Sequence, residues 1–172
     1  GDAIVGEDSL RNIRFAPDPH GNLHIWEKPG EGASSSRYVV AVDIGGRSHS
    51  SDYSVIAVID HGRSRPEVVA QWRGHIDHDI LTWKSAQIAR WYANALLVIE
   101  SNTLETTNGG ENSLYTLSQL NGVYHNLYRR PRLAQASDSL ESKIGFHTNR
   151  ATKSLIITHL IAMVRDSGYV EI

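Results

Sequence analysis

Tyr38-Val39-Val40-Ala41-Val42-Asp43-Ile44-Gly45-Gly46 decides the reading of this chain. Five nearly continuous apolar residues mark a strand buried on both faces, and it ends at an acid followed by two glycines. To its C-terminal side, Tyr53–Ile59 (YSVIAVI) is a second β-branched run, and Asp60-His61-Gly62 is a turn. Glu67–Trp72 forms a third run, so short turns join three strands into an antiparallel meander. The period then changes. From an N-cap at Asp77, Ile80, Leu81, Lys84 (by its stem), Ile88, Trp91 and Tyr92 recur at helical spacing. Ala95–Ile99 (ALLVI) is again a buried strand, ending in Glu100, and the preceding helix lets it run parallel to the first. A helix over 112–120, a weaker strand over Tyr124–Tyr128 and a final helix complete the pattern. Thr148 or Asn149 caps that last helix, which carries Leu155, Ile156, His159, Leu160 and Met163 at helical period to about Arg165.

On the N-terminal side, Arg11–Phe15 and Leu23–Trp26 flank Asp18-Pro19-His20-Gly21-Asn22, the composition of a β-hairpin turn. Pro29–Ser36 (PGEGASSS) reads as a loop. The expected division is 1–36, a hairpin and loop packed on the main domain, and 37–172, the domain itself. The expected class is α/β: a mixed sheet of three antiparallel strands and then parallel strands, flanked by helices, with an N-terminal β-hairpin.

Composition excludes several classes. The chain of 172 residues is 40% hydrophobic and 21% charged, ordinary for one globular domain. It has no cysteine, which removes thiol catalysis, zinc–thiolate sites and disulfide scaffolds. No apolar run approaches the ~18–20 residues of a membrane span. A net charge of −2 is unlike a protein that coats nucleic acid, but it suits an enzyme that gathers carboxylates at a metal site. The nine histidines form no HExxH-like pair, and most read as solvated. The four tryptophans read as packing residues rather than base-stacking platforms.

The chemistry rests on Asp43 and Glu100. If their strands are parallel neighbours, the two acids lie on one sheet edge about 5 Å apart, where open α/β sheets bind ligands. Carboxylates so close repel unless a cation lies between them, and hard Mg²⁺ or Mn²⁺ suits an all-oxygen site. A single acid at a strand end is commonly only a turn residue; their joint placement, with glycines opening space after Asp43, favours a site. Arg129, Arg130 and Arg132, with Lys143, Arg150 and Lys153, outnumber Asp138 and Glu141 and form either a solvated basic surface or one that binds a phosphate backbone. Arg150 and Lys153 fall in the first turn of the last helix, where the dipole also attracts phosphate.

Val40–Asp60 followed by Leu96–Asn102 (LLVIESN) resembles the nuclease domain of the large terminase subunit of tailed bacteriophages. Gly145–Asp166 and the lead-in IWEKPGEG are similar to that family as well. The resemblance implies a ribonuclease H-like fold and an endonuclease that cuts concatemeric double-stranded DNA by two-metal hydrolysis. One ion would activate water and the other would stabilise the leaving 3′ oxygen. It implies that Asp43 bridges two Mg²⁺ or Mn²⁺ ions and that Glu100 ligates one. Asp52 matches a further acidic position, a metal ligand or a turn residue, and Asn102 would orient Glu100 or a water, or simply make a turn. The family's third acid, in a His-Asp-Asp-like segment, is not found. It is expected beyond Ile172, with weak or no activity without it. Implied partners are an ATPase domain preceding this one, a portal protein and a small terminase subunit, in the bacterial host cytoplasm and away from any membrane.

Three other readings remain open here. DIGG at Asp43–Gly46 also begins sugar-kinase and actin-like ATPases, although no later adenosine loop follows. A resolvase or transposase of the same fold would differ only in its DNA substrate. A docking module would keep the fold without metals.

Overall fold

A computed structural model describes residues 16–46, 50–102, 110–130 and 144–167. Its strands are β1 (Leu23–Ile25), β2 (Tyr38–Asp43), β3 (Ser54–Asp60), β4 (Glu67–Gly74) and β5 (Leu96–Ile99). Its helices are α1 (His78–Trp91), α2 (Gly110–Val123) and α3 (Arg150–Ser167). The sheet order is β1-β4-β3-β2-β5, with β2 antiparallel to β3 and parallel to β5. This is the expected mixed sheet: antiparallel strands followed by a strand parallel to the first of them.

Alternation along the strands assigns two faces. Tyr38, Val40 and Val42 of β2, Ile56 and Val58 of β3, and Leu97 and Ile99 of β5 are buried on one face. There α1 covers them with Leu81, Ser85, Ala86, Ile88 and Ala89, small residues among large ones that let helix and sheet approach closely. α2 packs against α1. The other face carries Val39, Ala41 and Asp43, then Val55 and Ala57, then Val98 and Glu100, and it is only partly covered.

The ends of α1 follow its sequence. Asp77 precedes the first turn, as expected of an N-cap, but its side chain makes no capping hydrogen bond. Instead the Asp79 carboxylate accepts from the Ile80 amide at 2.9 Å. Ala93 (φ 58°) and Asn94 (φ 56°) turn the chain through the left-handed region, and the Ala95 amide closes back on the Ala89 carbonyl at 2.9 Å.

The end of the sheet away from Asp43 is locked by charge. The Asp60 side chain is fully buried and accepts from the Arg37 guanidinium (2.8 Å), the Arg63 Nε (3.2 Å) and the Gly62 amide (3.1 Å). Arg63 continues to Glu67 and Glu27. The Tyr38 hydroxyl accepts from the Gly30 amide and the Tyr92 hydroxyl donates to the Glu27 carbonyl, so the 27–37 loop is fastened to the core.

Some expectations change, and others lie partly outside the described residues. Leu23–Ile25 pairs antiparallel with β4 as an edge strand, while the other arm of the expected hairpin, Arg11–Phe15, lies outside the described residues. The weak strand over Tyr124–Tyr128 shrinks to one parallel bridge, Leu97 to Leu127, because the chain leaves β5 after two hydrogen bonds. Ile144–Phe146 then takes over the same edge of β5, with the Phe146 amide donating to the Ile99 carbonyl at 2.7 Å. Gly145 makes this possible: its φ is +87°, and a Cβ there would stand 2.6 Å from the Ile99 carbonyl oxygen. α3 starts after Asn149, whose Oδ1 accepts from the Ala151 and Thr152 amides at 2.9 Å. Its apolar residues Leu155, Ile156, Leu160 and Met163 do not enter the core; each is exposed, and α3 makes no extensive contact with another described element. Trp72 is buried as a packing residue, but Trp26 is 63% exposed. No described helix is long and apolar enough to cross a membrane.

Candidate metal centre

Asp43 and Glu100 meet because their strands are parallel neighbours in register. Val42 pairs with Ile99, and the Glu100 amide donates to the Val42 carbonyl at 2.9 Å. Each acid is one residue beyond that pair, so both side chains leave the sheet on the partly covered face. Their carboxyl groups are within hydrogen-bonding reach of one another. They line a cleft of about 290 Å³ floored by Ala41, Val55, Ala57 and Val98 and walled by Phe146, Thr148 and Ile156. A larger cavity of about 950 Å³ lies elsewhere, between the 16–28 segment and α1, and brings no pair of acids together.

The electrostatics fit a cation site. Burial raises the pKa of Glu100 above the usual carboxylate range, and the nearby Asp43 charge raises it further. A hydrogen bond from Thr148 and the field of His147 act in the opposite sense. A hard divalent ion between the two acids would offset this repulsion, with Asp43 and Glu100 as its protein ligands.

Thr148 and His147 are site residues that the sequence reading did not single out. Their closeness to Glu100 depends on the chain returning from residue 144 to the edge of β5, which no local pattern announces. Asn102 explains how the return is held. Its Oδ1 accepts from the Thr148 amide at 2.8 Å and its Nδ2 donates to the Thr148 carbonyl. It thus holds the Thr148 backbone beside Glu100. Asn102→Ala should cost about 1–3 kcal/mol, the penalty for leaving paired backbone groups unsatisfied, read in urea unfolding. It should also weaken Mn²⁺ binding, whereas unchanged stability and affinity would exclude the clamp.

The glycines after Asp43 do not open space for a ligand. A Cβ on Gly45 would stand 2.4 Å from the Asp52 carbonyl, and one on Gly46 would stand 2.1 Å from the Ser51 Cβ. They are glycines so that the 52–53 backbone can press against Gly45 and the Ser51 side chain against Gly46. Their amides are also taken: Gly45 donates to the Ser54 hydroxyl at 3.0 Å and Gly46 to the Asp52 carbonyl at 2.9 Å. A phosphate-embracing loop needs such amides available. The kinase-like reading of DIGG therefore loses its physical basis.

Asp52 is exposed, serves this turn through its backbone, and does not line the cleft. Among the described residues no group of three or more His, Asp or Glu converges to hold a metal, so Asp43 and Glu100 stand as a pair. Two histidines are not solvent-exposed: His78 is buried with its Nε2 3.2 Å from the Gly45 carbonyl, and His147 is half-buried beside Glu100. Arg129, exposed, donates to Asn121, and Arg130 is half-buried. Arg150 and Lys153 are exposed in the first turn of α3, which leads to Ile156 in the cleft wall. Arg132 and Lys143 lie outside the described residues, as do Asp138 and Glu141.

No family profile matches the chain, and no characterised protein matches it by sequence. Among solved structures it is similar to the large terminase nuclease from thermophilic phage G20c, at 10% identity over 72% of each chain with a TM-score of 0.38.

Proposed function

We propose that this chain is a metal-dependent endonuclease domain acting on double-stranded DNA, the nuclease part of a phage packaging terminase. The observation that carries the reading is the Asp43–Glu100 pair on neighbouring parallel strand ends, both lining one open cleft. Mg²⁺ or Mn²⁺ held there would supply Lewis-acid stabilisation of a phosphodiester and a more acidic water. The residues of this chain do the rest. Asp43 and Glu100 position the charge, Thr148 fixes the Glu100 carboxyl, and Asn102 holds Thr148. The exposed Arg129, Arg150 and Lys153, with Arg130, Arg132 and Lys143, are proposed to meet the DNA backbone without reading bases. Two-metal hydrolysis, with Asp43 bridging and Asp52 as an outer ligand, is the finer form of the proposal. So is partnership with an ATPase domain, a portal protein and a small terminase subunit in the host cytoplasm. These details rest on the sequence resemblance.

The test is conversion of supercoiled plasmid in Mn²⁺, with wild type, Glu100→Gln and a mock preparation compared at equal folded concentration. Mn²⁺-dependent cutting, weak in this chain and lost in Glu100→Gln, is the expected result. Cutting that survives Glu100→Gln unchanged would exclude this site as its source.

A further inference from the structure

The row that holds the acids continues across the sheet. Asp43 pairs with Val55, and Val55 pairs with Arg73, so cross-strand neighbours place Glu100, Asp43, Val55 and Arg73 on one face in one line. Two strand spacings separate Arg73 from Asp43, about 10 Å. Val55 between them is apolar and only partly buried, so nothing charged in the row interrupts the line.

Arg73 is held in place by aromatic contact. Its guanidinium carbon lies 3.8 Å from the ring centroid of Tyr53, which is 44% exposed. The same ring stacks on His75 at 4.2 Å and 27°. His75 is in turn 3.4 Å from the Gly46 carbonyl through Nδ1, in the turn that follows Asp43. The platform is therefore built from the strand end and turn that also present the acid. Among the described residues no carboxylate pairs with Arg73, although acids sit further along its own row. A stacked guanidinium keeps its planar fork of donors pointed outward and has less rotamer freedom to lose on binding.

We infer that Arg73, seated on Tyr53, binds a backbone phosphate of duplex DNA on the far side of the acid pair from α3. This rests on the nuclease reading and adds a contact that the basic segment 129–153 does not supply. A DNA strand carries a phosphate at every nucleotide, so one that crosses the acid pair and runs along this row brings a second phosphate within reach of Arg73. The contact is a positioning one, since it touches the backbone away from the reacting phosphate.

The experiment uses the full chain carrying Asp43→Asn, so that DNA is bound but not cut, and a fluorescent duplex read by anisotropy across a salt series. Adding Arg73→Gln should weaken binding about tenfold, the size of one lost charge-assisted contact. It should also lower the slope of log affinity against log salt by about 1. Arg73→Lys should fall between, because it keeps the charge and loses the planar stack. In the otherwise wild-type chain, Arg73→Gln should leave Mn²⁺ affinity by calorimetry unchanged, which a general disturbance of the sheet would not. If the Asp43→Asn protein binds duplex DNA and Arg73→Gln changes neither affinity nor slope, this inference falls alone. If the Asp43→Asn protein does not bind duplex DNA at all, the nuclease reading falls with it.

Discussion

Asp43→Asn should make the metal-free protein more stable and at the same time remove its stabilisation by Mn²⁺. The opposite signs come from one cause. Without a cation, burial and the neighbouring Asp43 charge hold Glu100 above the usual carboxylate range. An acid whose folded pKa is raised binds its proton more tightly when folded. Stability therefore falls as pH rises through the window between the ordinary value and the raised one, and the penalty is complete above it. Removing the Asp43 charge relieves part of that repulsion. Because Asp43 is exposed, solvent screening limits the gain to about 1 kcal/mol. For a domain of this size that is about 2–4 °C in thermal midpoint. Wild type should gain about 2.7 kcal/mol from Mn²⁺ at about 100 times its dissociation constant, and the Asp43→Asn protein should gain almost none. The cation competes with the proton on Glu100, so Mn²⁺ affinity in wild type should weaken as pH is lowered through the raised Glu100 value. A metal-free midpoint that drops in Asp43→Asn, with the Mn²⁺ shift intact, would contradict the pairing.

The second large effect lies at the opposite end of the same strands. Asp60→Ala should cost about 2–3 kcal/mol in urea unfolding. Breaking a buried ion pair commonly costs about 3–5 kcal/mol, and the figure is discounted here because the Arg37 side chain is 31% exposed. Asp60→Asn should cost less, since an amide oxygen can still accept from the Gly62 amide. The Arg37 guanidinium holds the Asp60 carboxyl below the usual carboxylate range, against the effect of burial. Its stabilising contribution is therefore complete above the ordinary carboxyl pKa and is lost as pH falls through the depressed folded value. The link to the site is register. Tyr38 pairs with Asp60 at one end of the β2–β3 ladder, and Asp43 pairs with Val55 at the other. A slip of one residue would turn Asp43 onto the face covered by α1. Asp60→Ala should thus also weaken Mn²⁺ binding, although Asp60 touches nothing in the cleft.

The meander, the first helix and the parallel return were legible because each is a sustained pattern with its own period. YVVAV and ALLVI are too apolar and too short for anything but buried strands, and a helix between them favours parallel pairing. The acids at their ends follow from that alone. What was not legible depends on the chain's long-range return. Thr148 and Asn102 form one clamp from segments far apart in sequence, and neither residue type is unusual where it stands. The same holds for Arg73, whose place in the acid row is fixed by register rather than by spacing. The glycines misled for a related reason: Gly45 and Gly46 suggest room, and only the position of residues 51–53 shows that the room is filled. In α3 the helical period was correct, but periodicity says which residues share a stripe, and Leu155 through Val164 carry that stripe into the open.

A crystal of this chain soaked in Mn²⁺ and measured at the manganese edge tests the central claim most directly. The expected result is an anomalous peak touching carboxylate oxygens of both Asp43 and Glu100, absent from an Asp43→Asn crystal treated in the same way. A fully soaked crystal with its manganese elsewhere, or with the two carboxyls turned apart and no peak between them, would contradict it.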